Sequence, residues 1–282
     1  MKYVALEPLI LLDAVARLAP DSTRTTLRSW IKEGRIFLDG EEAKHPNQPV
    51  AIGQILTMGT RPRYAPGKLP LLYEDKDLVV IDKPEGLLSV ATVFEKGETA
   101  HALLKSKYKP SKVYVVHRLD QDTSGVMLFA RNEKAQEKIK SLLEKHEIER
   151  VYYAIVEGKL KGDGTWESYQ YEDKNYLVHN TTDAKKGKRA VTHYLVKEVS
   201  KYYSLLEIRL ETGRKNQIRA HCQMAGCPVA GDRKYGAKTN PLKRLGLHAH
   251  LLKFLHPLSG KSMQFTSPFP KEFFTLFPSL SQ

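Results

Sequence analysis

Short apolar segments separated by polar turns recur along the chain from about residue 71 onward. Each is four to six residues long and rich in Val, Ile, Leu or aromatic residues, a composition typical of β-strands. The segments that predict strands are residues 78–82, 113–116, 126–130, 152–156, 192–197 and 205–210. A helix is predicted from Asn132, a good N-cap, through Leu143, because Ile139, Leu142 and Leu143 share one face. Adjacent strands joined by short polar turns predict an α+β fold with a mixed, largely antiparallel sheet.

The first 60 residues follow a different pattern, which predicts a small α/β module made of helix, helix and hairpin. Leu27, Trp30 and Ile31 are spaced at i, i+3 and i+4, so they predict a helix over residues 25–33 with a buried apolar face. A strand over residues 35–38, a hairpin turn at Asp39–Gly40 and a strand over residues 54–58 complete the prediction.

Basic side chains recur every four residues on the other face of that predicted helix, at Arg24, Arg28 and Lys32. Such a stripe, taken alone, is more often a solvated face than a binding surface. The first 61 residues hold 8 Lys and Arg against 7 Asp and Glu. Any affinity of this module for nucleic acid must therefore come from the arrangement of its charges and not from its net charge.

Residues 61–70 contain three prolines and one glycine, a composition that predicts a linker. The predicted organisation is a small module over residues 1–60, a linker over residues 61–70 and a larger domain over residues 71–282. No internal repeat or low-complexity segment interrupts this organisation.

The charge of the whole chain restricts the class of partner. The formal net charge is +13 over 282 residues, with an isoelectric point near 9.5, which favours a polyanion, most commonly a nucleic acid. A membrane partner is not expected, because no apolar run approaches the ~18 residues of a spanning helix and no lipidation signal is present. Two cysteines, Cys222 and Cys227, predict no disulfide framework and favour the cytoplasm.

The candidate chemistry is concentrated in residues 117–125, whose sequence is HRLDQDTSG. This polar segment lies between two predicted strands, a position suited to holding a carboxylate rigidly at the edge of a cleft. Asp120 has two interpretations, as a turn or cap residue and as a nucleophile or base beside Arg118. Asp122 is the competing carboxylate and is assigned to the turn.

Four further segments carry polar residues in a comparable setting. Tyr152 begins a predicted strand within RVYYA, residues 150–154, and Tyr153 is expected on the opposite face of that strand. Arg214, Gln217 and Arg219 lie in TGRKNQIRAH, residues 212–221, and a helix is predicted to run from this segment toward Gly226. The remaining segments are VVIDKPEGLLSV, residues 79–90, and AGDRKYG, residues 230–236.

Together these motifs resemble the signature of the RluA-type RNA pseudouridine synthases, and the small module resembles an RNA-binding module found in a small-subunit ribosomal protein. The resemblance implies the pseudouridine synthase fold and isomerisation of uridine in RNA. It implies that Asp120 is the catalytic aspartate, that Tyr152 stacks on the target base and takes part in proton transfer at C5, and that Arg219 forms an ion pair with Asp120. In relatives the arginine at the position of Arg118 can fill the space left by the extruded base. The substrate-binding residues expected on this basis are His117, Arg118, Lys83, Arg214, Gln217 and, in the module, Arg24, Arg28 and Lys32.

This chain departs from the family motifs at two places. Arg150 stands where Lys is usual, and Lys215-Asn216 stands where Thr-His is usual. The second departure leaves the Gly, Arg, Gln and Arg positions intact but changes the local hydrogen bonding.

The implied chemistry needs no redox step and no phosphate cleavage, so neither a metal nor an organic cofactor is expected. The target base must leave its stack, which costs a few kcal/mol. A zinc site is not expected. The nominal ligands contain no CxxC pair and match no standard spacing; they are His221, Cys222, Cys227, His248, His250 and His256.

The predicted substrate is ribosomal RNA of the large subunit, and the protein is expected to be a monomer. Transfer RNA is an alternative substrate. A non-catalytic RNA-binding or ribosome-assembly factor is a second class, against which the presence of Asp120, Tyr152 and Arg219 argues. A metal-dependent nuclease is a third class, which would need clustered carboxylates.

Overall fold

The computed structural model describes residues 2–32, 35–43, 45–58, 69–91 and 98–281. These residues form two compact units that divide in sequence between residues 66 and 67. Most of the predicted linker, residues 61–68, lies outside the described residues, so the linker stays a prediction. No helix in the described part of the chain is both long and apolar enough to span a membrane.

The smaller unit is an α/β module, as the residue pattern predicts. Its described elements are β1 (Lys2–Val4), β2 (Leu9–Ile10), α1 (Leu11–Leu18), α2 (Arg24–Lys32), β3 (Ile36–Leu38), β4 (Glu41–Glu42), β5 (Pro49–Val50) and β6 (Ile55–Met58). Four strands form an antiparallel sheet in the order β1-β6-β3-β4, and β2 pairs with β5. The predicted apolar face of α2 is confirmed, since Leu27 and Ile31 are fully buried and Trp30 packs against the same core.

The hairpin of the module depends on two residues with left-handed backbone conformation. Asp39 and Gly40 have φ values of 52° and 90°, which suits the two-residue turn whose twist matches that of the flanking strands. The Asp39 carboxylate also accepts hydrogen bonds from the Ile55 amide and the Gln54 side chain, both at 2.8 Å. The turn is thereby fixed to the beginning of β6.

The larger unit is built on one eleven-stranded sheet. Its strands are β7 (Leu71–Glu74), β8 (Leu78–Lys83), β9 (Tyr114–Val115), β10 (Ser124–Ala130), β11 (Glu149–Glu157), β12 (Asp163–Glu172), β13 (Val178–Thr181), β14 (Lys188–Val199), β15 (Tyr203–Leu210), β16 (Leu247–Leu255) and β17 (Ser262–Thr266). Its helices are α3 (Ala100–Lys107), α4 (Glu133–Glu144) and α5 (Gln217–Met224), with short 3₁₀ turns near residue 234 and toward the end of the chain.

The sheet has the order β13-β12-β14-β15-β11-β16-β10-β8-β7, and β9 and β17 pair with β10 and β16. Within the described residues, β10 and β16 form a parallel pair and the other neighbours are antiparallel. The predicted mixed, largely antiparallel α+β fold is therefore confirmed. The predicted helix cap is also present, because the Asn132 side chain accepts a hydrogen bond from the Ala135 amide.

Strand β10 is the buried centre of the sheet, and the polar segment 117–123 leads directly into it. All seven residues of β10 are buried. Gly125 has a φ of 115°, and a Cβ atom at this position would lie 2.1 Å from the carbonyl oxygen of Ala249. Only glycine therefore allows β10 to begin against β16, which fixes the position of the preceding polar segment.

A buried histidine makes the stability of the larger unit depend on pH. His221 is fully buried, and burial lowers its pKa from 6.5 to about 4. Between these two values the unfolded chain binds more protons than the folded protein, so the free energy of unfolding falls as pH falls. We expect His221 alone to contribute a loss of about 2 kcal/mol between pH 7.5 and pH 5.

Urea unfolding of the wild type and of a His221→Gln variant at both pH values measures this contribution. Glutamine can still hydrogen-bond to Ser168 and Thr192, which flank the imidazole at 2.9 and 2.8 Å. The variant should lose about 2 kcal/mol less than the wild type over this range. Equal losses in the two proteins would contradict the assignment.

Candidate active site

The loop that carries Asp120 is held on both sides by one neighbouring segment. Ser89 Oγ donates to the Leu119 carbonyl at 2.7 Å and accepts from the Leu119 amide at 3.1 Å. The Gly86 amide donates to the Gln121 carbonyl at 2.9 Å, and the Gln121 side chain donates to the Gly86 carbonyl at 3.2 Å. Because both neighbours of Asp120 are fixed, its carboxylate is presented from a rigid backbone.

Lys83 reinforces this arrangement from inside the protein. Its side chain is fully buried, and its ammonium donates to the carbonyl oxygens of Pro84, Leu87 and Gln121 at 2.9, 2.8 and 3.0 Å. Burial lowers the pKa of Lys83 to about 7, an effect that the nearby carboxylates oppose. The structure does not support the predicted contact of Lys83 with substrate, because its three donors are used internally and RNA has no access to it.

We expect Lys83→Met to destabilise the larger unit by about 3 kcal/mol, because three buried carbonyl oxygens lose their common donor. Catalytic activity should fall as well, since one of these carbonyls belongs to Gln121. Urea unfolding at pH 7 measures the first effect. Lys140→Met, on the exposed side of α4, is the control and should change stability by no more than about 0.5 kcal/mol. Equal stability of the two variants would contradict the anchoring role of Lys83.

Arg219 lies on α5 and contacts Asp120, as the sequence motif implies. Its NH1 group lies 3.4 Å from Asp120 Oδ2. The shorter contacts are made by Asp232, whose two carboxylate oxygens accept from Nε and NH2 at 2.6 and 2.8 Å. Burial opposes the charge of Arg219, but the hydrogen bonds that it donates to Asp232 outweigh this effect and raise the pKa of Arg219 above its usual value. Asp120 is thus the secondary partner of this arginine.

Two more residues complete the surroundings of the Arg219 guanidinium. Asn216 accepts from NH1 at 3.2 Å and donates to the Tyr235 hydroxyl at 3.1 Å. The Tyr235 ring lies 4.8 Å from the guanidinium carbon, which is favourable for a cation and an aromatic face. Asn216 has a φ of 51° at the N-cap of α5, a conformation that asparagine adopts more readily than most residues. The departure from the family motif at this position therefore has a defined structural role.

Gln217 fills all its hydrogen-bonding positions within the protein. Its NH2 group donates to the Val191 carbonyl and to Thr192 Oγ1, both at 2.9 Å. Its carbonyl oxygen accepts from Thr212 Oγ1 at 2.7 Å and from the Arg214 amide at 2.9 Å. Gln217 also lines the narrow space beside Asp120, and its contact with substrate stays a prediction. The residue fixes the turn between β15 and α5.

Tyr152 lies on β11 and is buried, with 8% of its surface exposed. Burial raises its pKa, and Asp120 adds to this effect while Arg150 opposes it. The side chain is therefore a neutral phenol at neutral pH. Tyr153 occupies the other face, as predicted, where its hydroxyl donates to Glu207 at 3.1 Å.

Two adjoining cavities surround these residues. The narrow cavity, about 50 Å³, is lined by Asp120, Thr123 and Arg219. The Thr123 hydroxyl is buried and has no hydrogen-bond partner within the described part of the chain. The larger cavity has about 560 Å³ and is lined by basic residues. Arg118, Tyr152, Leu210 and Arg214 line both cavities.

The residues predicted to contact substrate differ in their solvent exposure. Arg118 and Arg214 are exposed and face both cavities. His117 lines the larger cavity, and its Nε2 accepts from the Leu128 amide at 3.0 Å. Burial, with a smaller contribution from Arg150, lowers the pKa of His117 to about 4. The imidazole is therefore neutral and offers Nδ1–H as its remaining donor.

The basic stripe of the small module is only partly described. Arg24 is exposed and pairs with Asp13 at 3.0 Å, while Arg28 is exposed. Lys32 ends α2, and its side chain lies outside the described residues. The stripe is present as a helix face, and its contact with RNA stays a prediction.

Within the described ranges, Asp75, Asp77 and His256 resemble a metal site most closely, and their ligand atoms lie within 4.8 Å of one another. Asp75 already accepts hydrogen bonds from the Asp77 and Leu78 amides, from Tyr73 and from His256. These bonds give the cluster a structural role at the β7–β8 turn. Of the histidines and cysteines named above as nominal zinc ligands, only His256 belongs to this cluster.

Comparison with known proteins gives two family matches. Residues 77–224 match the model of the RNA pseudouridylate synthase family, and residues 11–56 match the S4 domain. The first match contains Asp120, Tyr152 and Arg219 but ends before Asp232, which the sequence motifs left without a role.

Similar proteins from several bacteria are named ribosomal large subunit pseudouridine synthase D. The protein of Xanthomonas campestris is 36% identical over 96% of this chain and 88% of its own length. That of Vibrio cholerae is 33% identical over 92% and 87%, and that of Escherichia coli K12 is 31% identical over 92% and 86%.

Two solved structures share the fold. Human RNA pseudouridylate synthase domain containing 1 superposes with a TM-score of 0.61 at 22% identity, covering 77% of this chain and 88% of its own. Human RNA pseudouridylate synthase domain containing 4 has a TM-score of 0.59 at 23% identity, covering 73% and 90%.

Proposed function

The chain belongs to the RNA pseudouridylate synthase family, and from this premise we propose that it isomerises uridine in ribosomal RNA of the large subunit. The names of its bacterial relatives support this substrate, and the S4 domain and the net charge of +13 suit a structured RNA partner. The observation that carries the proposal is the Asp120 carboxylate, which is fixed by its loop, paired with Arg219 and open to a cavity beside Tyr152.

The reaction breaks the bond between N1 of uracil and C1′ of ribose and forms a bond between C5 and C1′. The proton on C5 is lost, and N1 gains a proton. In our proposal Asp120 starts the cleavage by acting on the sugar or the base. It is the one carboxylate that lines the narrow cavity among the described residues.

The remaining residues of the cavity support this carboxylate. Arg219 approaches Asp120 Oδ2 and leaves Oδ1 for the substrate. Tyr152 offers its ring as a stacking surface for the base. Because it stays a neutral phenol, Tyr152 takes part in proton transfer at C5 through its hydroxyl group and not as a tyrosinate.

Arg118 is exposed where the two cavities meet, and we propose that it occupies the space left by the flipped base. The narrow cavity of about 50 Å³ holds only a few water molecules, so a base must displace side chains to enter. Arg118 and Arg214 are the exposed side chains in its lining. We further propose that the protein acts as a monomer in the cytoplasm.

Release of tritium from uridine C5 tests the function directly. Purified protein is incubated in EDTA with unmodified transcripts of large-subunit ribosomal RNA and of transfer RNA that carry tritium at C5. We expect release from the ribosomal RNA and a mapped pseudouridine at the same site. Release from transfer RNA alone would correct the substrate class. No release from transcripts or from ribosomal particles would overturn the proposal in favour of an RNA-binding factor.

A further inference from the structure

Arg150 lines the larger cavity and makes only weak contacts within the protein. Arg150 lies on β11, and its Nε atom is buried without a hydrogen-bond partner in the described ranges. Its NH2 group approaches the carbonyl oxygens of Leu210 and Glu211 only at 3.4 and 3.5 Å, longer than the usual N–H···O distance. A half-buried guanidinium in this situation gains strongly from an anionic partner.

The other charges of the cavity do not supply that anion. Arg189 lines the same cavity, but it is paired with Glu167 and Glu211 at 2.7 and 2.9 Å. Glu144 is the one carboxylate among the described residues that lines the cavity, and no ion pair joins it to Arg150 there. Arg118, Arg150 and Arg214 therefore give this space an excess of positive charge.

Gly213 makes room for the Arg150 side chain. A Cβ atom at this position would lie 2.6 Å from Arg150 NH1, closer than real contacts allow. The guanidinium thus lies against the backbone of the turn that follows β15.

The position of the larger cavity, next to the narrow one, indicates which anion Arg150 would bind. A uridine that enters the narrow cavity beside Asp120 must leave its phosphates outside, and the adjoining space shares Arg118, Tyr152 and Arg214 with it. Its volume of about 560 Å³ is within the range of spaces that hold small ligands.

We propose that Arg150 binds a phosphodiester of the RNA strand next to the target uridine, an inference that rests on the proposed function. Arginine presents two parallel donors to a phosphate, which the lysine usual at this position does not.

Neutral linkages in the substrate test the contact. A ribosomal RNA fragment with the mapped uridine is prepared with a methylphosphonate at one linkage at a time on either side of the target. The wild type should show a KM raised by about tenfold at one linkage. Arg150→Met should show that increase with the unmodified fragment and no further increase when the same linkage is neutral. If the variant responds to every neutral linkage as the wild type does, Arg150 binds no phosphate.

The salt dependence of binding gives a second readout that does not need activity. The slope of log K against log salt concentration should become shallower by about 0.7 to 0.9 in Arg150→Met, as expected for one lost phosphate contact. An unchanged slope would overturn the proposal even if the wild type is active. Failure of the wild type to modify RNA would instead count against the proposed function, while this slope still measures the Arg150 contact.

Two further variants test whether the effects of Arg150→Met arise from its position in the larger cavity. Gly213→Ala should displace the guanidinium and raise KM, and it should add little to Arg150→Met. Arg209→Met is the matched control, because Arg209 lies on the neighbouring strand β15, paired in register with Val151, and bonds Glu207 and Glu149 on the opposite face. The control should leave the salt slope unchanged. Additive effects of the first two variants would contradict their common site.

Discussion

Asp120→Asn is expected to lower kcat by at least about 10³-fold, because the amide can neither attack nor accept a proton as the carboxylate does. Binding of RNA should stay within about threefold of the wild type, since Asn keeps the shape of the side chain and Asp120 is not part of the basic surface. Tritium release from C5 under single-turnover conditions measures the first quantity. Filter binding with the same RNA measures the second.

Asp122→Asn is the matched control for this variant. Asp122 lies two residues away in the same loop and is assigned to the turn, so we expect its activity to stay within about tenfold of the wild type. The reverse pattern, with an inactive Asp122 variant and an active Asp120 variant, would exchange the two carboxylates in the proposed mechanism. Activity in both variants would remove the carboxylate from the chemistry altogether.

The buried strands of the sheet could be predicted from the sequence because their apolar residues are continuous. Strand β10 is the clearest case, since all its residues are buried and the pattern over residues 126–130 identifies it. The sequence pattern does not predict strand β12, because the interior face of this strand is polar. Ser168 and Gln170 are buried there and hydrogen-bond to Asn180 at 2.8 and 3.0 Å. A polar interior of this kind gives no apolar alternation that a sequence pattern can detect.

The residues of the candidate site could also be predicted only in part from the sequence. The motifs placed Asp120, Tyr152 and Arg219 in one family signature, and the structure brings them to one cavity although Asp120 and Arg219 are 99 positions apart. The motifs did not separate residues that touch a ligand from residues that hold the loop. Lys83 holds the loop, because the folded structure shows that its three donors are all used within the protein.

Asp232 could not be assigned from sequence for a related reason. Its two hydrogen bonds to Arg219 depend on the tight turn after α5 and on the left-handed Gly231, with a φ of 83°. The carboxylate is 1% exposed and does not line either cavity. We therefore regard it as a positioning residue that acts on Asp120 through Arg219.

Asp232→Asn is expected to lower the free energy of unfolding by about 3 kcal/mol, because it leaves the buried charge of Arg219 without its main partner. It should also lower kcat by about 10²-fold, with KM little changed, because the arginine is no longer held away from the reactive oxygen of Asp120. Urea unfolding and steady-state kinetics on ribosomal RNA measure these effects. Both assays should be done at a temperature where the variant remains folded.

A double-mutant cycle distinguishes positioning from general loss of structure. If Asp232 acts through Arg219, then Arg219→Met combined with Asp232→Asn should be no slower than Arg219→Met alone, because the group that Asp232 positions is absent. The double variant should even recover stability relative to Asp232→Asn, since no unpaired charge remains buried. Additive losses in kcat would show that Asp232 supports the site by a route that does not pass through Arg219.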